Sequence, residues 1–246
     1  MNKKLLIIGG ALAGLGLAAY VGLDLFLGSA VKVGVNRFAP RIAHTGVELA
    51  GADLSPLTGS GTLSGLAVSN PRGWSDNRAV YLGKVHVELA PFSIFGDHIV
   101  VNEITVDQPE FLYETRVLSS NIGDLLKGLK GAADNGRGGA TTASGQPIRF
   151  EVRHFRLTNG RIRLGVGPTA LTLPMPPVTL DNLGTAEGGI SADQLAYAVM
   201  RSVAGTVVGA TTEAMGKVGS TMGAAAGEGA RKAADGLKGL FGGGKN

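Results

Sequence analysis

The chain of 246 residues has no cysteine, a formal net charge of +4 and an aromatic content of 5%. The missing thiols exclude disulfides, thiolate chemistry and cysteine metal sites. The low aromatic content argues against a stacking platform for nucleic acid, so we expect no nucleic-acid partner. Once the terminal segments are set aside, the remaining length is enough for one ordinary domain but not for a second full core.

The amino-terminal segment predicts a membrane anchor. Two lysines precede an apolar run over residues 5–23, which carries no charge before Asp24. A helix that spans a hydrocarbon core of about 30 Å needs roughly 20 apolar residues, whereas the apolar region of a cleaved signal has about 7–15. We therefore predict a single transmembrane helix within residues 1–30, with the amino terminus in the cytoplasm by the positive-inside rule. A cleaved secretion signal is the alternative, and either interpretation exports the rest of the chain.

Alternating apolar and polar residues from Val47 to about Leu112 predict half-buried strands. Turn-forming residues interrupt the alternation, for example at residues 69–73 and 107–109. The alternation therefore predicts several short strands joined by tight connections.

A second block of strand pattern covers residues 148–173. Within it, the Asn159-Gly160 dipeptide predicts a hairpin, because both central residues of a type I′ turn need positive φ. A shift in the phase of the alternation predicts a bulge near His154. Because each block is small for a stable sheet, we expect the two blocks to pair with each other.

Residues 104–113 and 155–164 echo each other in their apolar positions. The matched positions are 104/155, 106/157, 111/162 and 113/164. Chance agreement and a true repeat are both open interpretations. A true repeat would build the sheet from strand-turn-strand units.

Between the two blocks, residues 118–130 predict a short helix with a capping residue near its start. Residues 131–146 follow and are rich in Gly, Ala, Asn, Ser and Thr. Such a composition buries little apolar surface, so it predicts a flexible insertion.

The carboxyl-terminal region, residues 181–246, predicts a helical tail rich in glycine and alanine. Ser191 and Gln194 fit a capping box at its start. Gly205 and Gly209 are four residues apart, a spacing that permits close helix packing. Each helical glycine nevertheless costs roughly 1 kcal/mol relative to alanine. A packed helix and a frayed tail are therefore both open interpretations.

The sequence contains no recognisable catalytic constellation. Hydrolase, metalloprotease, phosphate-loop and calcium-loop motifs are all missing, and the four histidines have no ligand pair at helical or strand spacing. We therefore predict no enzyme activity, no cofactor and no metal site.

Two candidate surfaces follow from the strand pattern. Inward-facing apolar residues predict the lining of a groove for lipid chains, or an ordinary core if a helix fills that groove. This apolar set comprises Leu66, Val68, Val87, Ile104, Val106, Phe111, Phe155 and Ile162. Outward-facing arginines predict contact with anionic lipid phosphates, because the planar guanidinium suits phosphate, and a solvated strand face is the alternative. This arginine set comprises Arg149, Arg153, Arg156, Arg161 and Arg163.

The order of four segments after the predicted anchor resembles the AsmA-like family of bacterial envelope proteins. The segments are VELAGADL at 47–54, GTLSGLAVSNPRG at 61–73, LGKVHVEL at 82–89 and IVVNEITVDQPEF at 99–111. The resemblance covers the amino-terminal part of the family, about residues 1–127, and residues 148–166 look like a further strand pair of the same type. The chain differs from the larger family members, because it is short and ends in a Gly/Ala-rich region.

The resemblance implies a single-pass protein of the bacterial inner membrane whose bulk faces the periplasm. It implies a role in lipid transport or outer-membrane assembly, with the membrane, phospholipid and an envelope protein as partners. We expect an α+β, mainly β fold, with a twisted antiparallel-type sheet or groove over residues 31–180. The alternative function is a scaffold that binds a partner protein through its sheet edges or its small-residue helix.

Overall fold

A computed structural model shows one large sheet with three helices packed against it. It describes residues 22, 26–55, 57–116, 119–135, 141–142, 144–167 and 170–241, with side chains described as far as residue 216. Apart from Gly22, the predicted anchor at 5–23 lies outside these residues. Within the described part of the chain, no helix is long and apolar enough to cross a membrane.

The elements confirm a mixed α+β fold that is mainly β. Helix α1 covers residues 26–43, α2 is Asn121–Asn135 and α3 is Ala192–Phe241. The strands are β1 Val47–Leu54, β2 Ser60–Ser69, β3 Arg78–Leu89, β4 His98–Asp107, β5 Glu110–Tyr113, β6 Thr115–Arg116, β7 Ser119–Ser120, β8 Arg149–Thr158, β9 Arg161–Leu164, β10 Leu171–Pro174 and β11 Val178–Leu183. One 3-10 turn, Ser93–Phe95, lies between β3 and β4.

The large sheet is mixed, so the expected antiparallel-type sheet is wrong. Strands β1 to β4 pair in chain order and antiparallel, but β4 pairs with β8 in parallel. Strand β11 then pairs antiparallel with β8. The short strands β5, β9 and β10 lie end to end with β4, β8 and β11, respectively. Each of the pairs β4–β5, β8–β9 and β10–β11 therefore forms one bent ribbon. A parallel pair needs a crossover between its strands, and α2 lies in that connection.

The chain does not reverse at Asn159-Gly160, so the predicted hairpin is wrong. Strands β8 and β9 both run parallel to β4 and β5, in one constant register. Asn159 has a φ of 54°, and Gln108 at the equivalent place between β4 and β5 has a φ of 53°. A type I′ turn needs two left-handed residues, whereas Gly160 is not left-handed. The dipeptide therefore bends a strand and does not close a turn.

The sequence echo coincides with the register of this parallel pair. Ile104 lies beside Phe155 and Phe111 lies beside Ile162, as in the alignment of the two segments. Near His154, where a bulge was predicted, the pair Asn102/Arg153 is missing from the ladder, but the register between β4 and β8 does not shift. In both β4 and β8 the alternation of apolar residues shifts by one residue at this gap. The apolar residues of the two strands therefore stay side by side on the same face.

A crease crosses the sheet at the level of Gln108 and Asn159, where the two ribbons bend. The backbone pairing between neighbouring strands is interrupted there. When the register of each strand pair is extended across the interruption, the unpaired residues lie side by side. The crease residues are Ala50, Gly65, Gly83, Gln108, Asn159 and Pro176. Because irregular residues increase local twist and bending, the crease is where the sheet can curve.

One hydrophobic core joins the sheet to all three helices. It includes Ile42 of α1, Ile122 of α2, and Val203 and Val207 of α3. The Ser191 N–H donates to Gln194 Oε1 at 3.1 Å, which supplies one half of the predicted capping box. The start of α3 is thus packed against the sheet and is not frayed.

Two helices extend beyond their predicted limits. Helix α2 continues to Asn135, so residues 131–135 are helical where a flexible insertion was expected. Helix α1 continues well past residue 30, where no helix was predicted. Its Asn36 side chain pairs with the free edge of β1, because Leu49 N–H donates to Oδ1 at 2.6 Å and Nδ2 donates to Leu49 O at 3.2 Å. The side chain thus occupies backbone groups that an exposed edge strand would offer to another chain.

Replacing Gly65 with alanine is expected to destabilise the fold. Gly65 has a φ of 65°, and an added Cβ would lie 2.9 Å from the Cβ of Ala50. Left-handed backbone costs an L-residue about 1–2 kcal/mol, so we expect at least about that loss in the free energy of unfolding measured with urea. Gly83→Ala is the matched control, because this crease glycine is not left-handed and its nearest contact is 3.9 Å away. Equal losses in the two variants would contradict the crease geometry.

Candidate functional site

The apolar set lies on one face of the sheet, beneath the helices. Five of its eight members are buried, and Leu66, Val68 and Ile104 are half-buried. Seven members, all except Leu66, belong to the hydrophobic core or pack against it. Helices α2 and α3 contribute to the same core, so they cover much of the face that was predicted to line a groove.

The arginine set lies on the opposite face, and all five of its members are exposed. Acidic and polar neighbours accompany it, since Arg153 Nε lies 3.3 Å from Glu151 Oε1 and Arg156 Nη1 lies 3.8 Å from Glu103 Oε1. Surface ion pairs of this kind stabilise by only about 0–1 kcal/mol. Their main effect is to reduce the positive potential that an anionic lipid would meet on this face.

A buried polar network at the end of β5 was not predicted from the sequence. Asn121, the first residue of α2, is fully buried. Its Nδ2 donates to Asn70 Oδ1 at 2.8 Å and to Leu112 O at 2.7 Å, while its Oδ1 accepts from Glu114 N–H at 2.9 Å. The Glu114 carboxylate in turn accepts from Asn70 Nδ2 at 2.6 Å. The network therefore ties the β2–β3 connection, the end of β5 and the start of α2 together.

An aromatic and ionic cluster extends this network to the surface. Trp74 Nε1 donates to Asp124 Oδ2 at 3.0 Å, and Lys127 Nζ donates to Asp124 Oδ1 at 3.0 Å. The guanidinium of Arg116 lies over the Trp74 ring, 4.5 Å from its centroid. The hydrogen bond from Lys127, followed by that from Trp74, holds the pKa of Asp124 below its ordinary value. These contacts fix the loop before β3 on the first turn of α2.

Asp193, in the first turn of α3, is fully buried, and its carboxylate has no hydrogen-bond partner among the described residues. A helix amino terminus favours a negative charge by about 0.3–1 kcal/mol. An unpaired buried polar group costs about 1–3 kcal/mol, which is more than the helix amino terminus contributes.

The described side chains do not assemble an obvious reaction centre. No group of three or more His, Asp or Glu residues is placed to hold a metal ion in the described part of the chain. A depression of about 660 Å³ lies by the crease beside Asn159, Gly160 and Met175, and no acid-base pair lines it. The carboxylate of Glu114 is engaged in hydrogen bonds within the polar network.

Comparison with known proteins finds no family model, no curated protein and no solved structure that matches this chain. The resemblance to the AsmA-like family therefore stays a prediction from the sequence.

Substituting Asn121 with alanine is expected to destabilise the protein strongly. The change leaves buried donors and acceptors without partners, and each such group costs about 1–3 kcal/mol. We expect a loss of at least about 2 kcal/mol in the free energy of unfolding. Asn77→Ala is the control, because the exposed Asn77 side chain donates only to Ser75 Oγ among the described residues. A loss for Asn121→Ala no larger than that for Asn77→Ala would show that the network contributes little.

Trp74→Phe should raise the pKa of Asp124 toward its ordinary value, because the indole N–H donor is removed while Lys127 remains. A carboxylate whose pKa is lowered by folding stabilises the fold above its unfolded pKa, and that stability is lost as pH falls through the folded pKa. The variant should therefore lose less stability on acidification than the parent. Carbon-detected NMR titration of Asp124 measures the shift directly, and an unchanged pKa would argue against the Trp74 hydrogen bond.

Proposed function

We propose that this chain is a non-enzymatic, membrane-anchored protein of the bacterial envelope that serves as a scaffold for a partner protein. This proposal rests on the helices α2 and α3, which cover the apolar set. Val203 and Val207 of α3 lie in one core with Phe155 and Ile162. Because fully burying such a side chain is worth about 1.5–3 kcal/mol, displacing α3 to admit a lipid would cost several of these contributions.

The location in this proposal rests on the sequence. The apolar run at 5–23 is long enough to anchor the chain. The resemblance to the AsmA-like family favours the inner membrane as the site of the anchor and the periplasm as the site of the folded domain.

The outward face of α3 is the best surface for a partner helix. Gly205 and Gly209 have nothing within 4 Å of an added Cβ. Val208 is 40% exposed and Met215 is 61% exposed. Small residues four apart let a second helix approach closely, and apolar neighbours add contact area.

The sheet edges are less suited to binding a partner. Asn36 already pairs with the backbone of β1. The opposite edge contains Pro174, and Pro176 and Pro177 follow it before β11. Since proline cannot donate to a ladder, a partner strand would find an interrupted edge there.

Lipid transport through the apolar set is the second candidate function. It is favoured by the partial exposure of Leu66, Val68 and Ile104, which lie on the same face as the buried members. In this candidate, an acyl chain would lie beside these three residues and α3 would move away from the sheet.

Photo-crosslinking of the full chain separates the two functions. A small diazirine amino acid would replace Ile104 or, as the control on the opposite face, Arg163, and the protein would be purified from membranes and examined by mass spectrometry. The scaffold proposal predicts crosslinks from position 104 to the chain itself and no phospholipid adduct at either position. A phospholipid adduct at position 104 but not at 163 would support lipid transport instead.

The partner surface has its own test. The same diazirine amino acid in place of Val208 should yield a discrete adduct with one envelope protein in cells. Gly205→Leu fills the open space on α3 and should remove that adduct. Lys127→Leu, on the exposed surface of α2, should leave it unchanged. Loss of the adduct in both variants, or in neither, would count against this face of α3.

A further inference from the structure

We infer that the end of the domain where α1 begins is a second membrane contact, an inference that rests on the proposed anchoring of the chain. An apolar tip, formed by Phe26, Leu57, Phe92 and Phe95, enters the interfacial region of the bilayer. The ligand class is a phospholipid surface, contacted by inserted apolar side chains.

Three segments of the chain meet at this tip. Leu27 of α1, Leu54 at the end of β1 and Phe92 after β3 line one small cavity. The Leu89 N–H donates to Gly59 O at 2.7 Å, which holds the β1–β2 turn against the end of β3. Leu57 lies in that turn. The four tip residues thus come from neighbouring segments at the same end of the sheet.

The four residues of the tip are largely exposed to solvent. The exposed fractions are 67% for Phe26, 60% for Leu57, 61% for Phe92 and 53% for Phe95. The rings of Phe92 and Phe95 stack with their centroids 6.5 Å apart. Exposed apolar side chains at one end of a domain mark interaction surfaces, and exposed phenylalanines can insert at a membrane interface.

The position of the tip favours a bilayer over a soluble partner. The apolar run ends at Leu23, three residues before Phe26. Because each residue extends the chain by at most about 3.6 Å, Phe26 lies within about 11 Å of the end of that run. A chain anchored by this run therefore holds the tip beside the membrane surface.

The nearby charges indicate how the tip binds. Asp53 precedes Leu54, and Asp97 follows Phe95 by two residues. Acidic neighbours do not attract anionic lipids, so insertion of the tip depends on apolar contact. Its contact with the bilayer should persist at high salt, unlike an electrostatic contact through the arginine set.

Single-cysteine labelling tests this inference, since the chain has no native cysteine. The full chain carrying Phe92→Cys is labelled with the environment-sensitive dye NBD and placed in vesicles of phosphatidylethanolamine and phosphatidylglycerol that contain a doxyl-labelled lipid. Val166→Cys is the control, because Val166 is 44% exposed in the β9–β10 connection at the opposite end. Phe95→Cys is a second probe of the tip.

The expected result is a blue-shifted emission and several-fold stronger quenching by doxyl lipid at positions 92 and 95 than at 166, at low and high salt. Equal, water-like signals at all three positions in a chain that floats with the vesicles would overturn the tip and leave the anchor intact. A chain that does not float would overturn both. Shielding at position 92 that follows protein concentration, without doxyl quenching, would overturn the inference in favour of a second copy of this chain.

Discussion

The parallel pairing of two bent ribbons is the constraint on which the rest of the fold depends. Strands β4 and β5 run in the same direction as β8 and β9, so the chain must return along the sheet between them. Helix α2 lies in this return, and its Ile122 and Leu125 are buried in the core. The polar network at Asn121 fixes the helix to the end of β5, where the return begins. The ladder, the crossover helix and the network are therefore parts of one arrangement.

The helix layer determines what the apolar set can do. A sheet with alternating apolar and polar residues must have its apolar face covered by other parts of the protein. Here, helices α2 and α3 cover much of that face. The glycines of α3 weaken it as an isolated helix by roughly 1 kcal/mol each. Burial of Val203 and Val207, worth about 1.5–3 kcal/mol for each fully buried side chain, offsets this weakness where the helix meets the sheet. The proposed scaffold function follows from this closed face and from the small residues left open on the other side of α3.

Local pattern predicted the strands of the two blocks, because alternation depends only on which side of a strand each residue occupies, but it missed β11, which follows the second block. The same alternation placed the apolar set on one face and the arginine set on the other. It did not predict the strand direction after Asn159, because an Asn-Gly pair suits either a two-residue turn or a single left-handed bend. Long-range pairing with β4 and β5 decides between these conformations.

Other features depended on partners far apart in the chain. The side chain of Asn70 indicated only a turn, since its partner Asn121 lies 51 residues away. Helix α1 had no predicted continuation, because its contact with the edge of β1 forms only in the folded sheet. The apolar tip likewise forms from three separate segments, none of which is distinctive alone.

The distance between residues 156 and 163 tests the central claim most directly. Arg156→Cys and Arg163→Cys, both exposed, accept nitroxide labels in an otherwise cysteine-free chain, and pulsed EPR measures their separation. A ribbon that continues through Asn159 separates the two backbones by seven residues, or roughly 23 Å at about 3.3 Å each. A hairpin centred on Asn159-Gly160 would instead place them opposite each other, about 5 Å apart. We expect the long distance, and the short one would contradict the parallel pairing and the fold built on it.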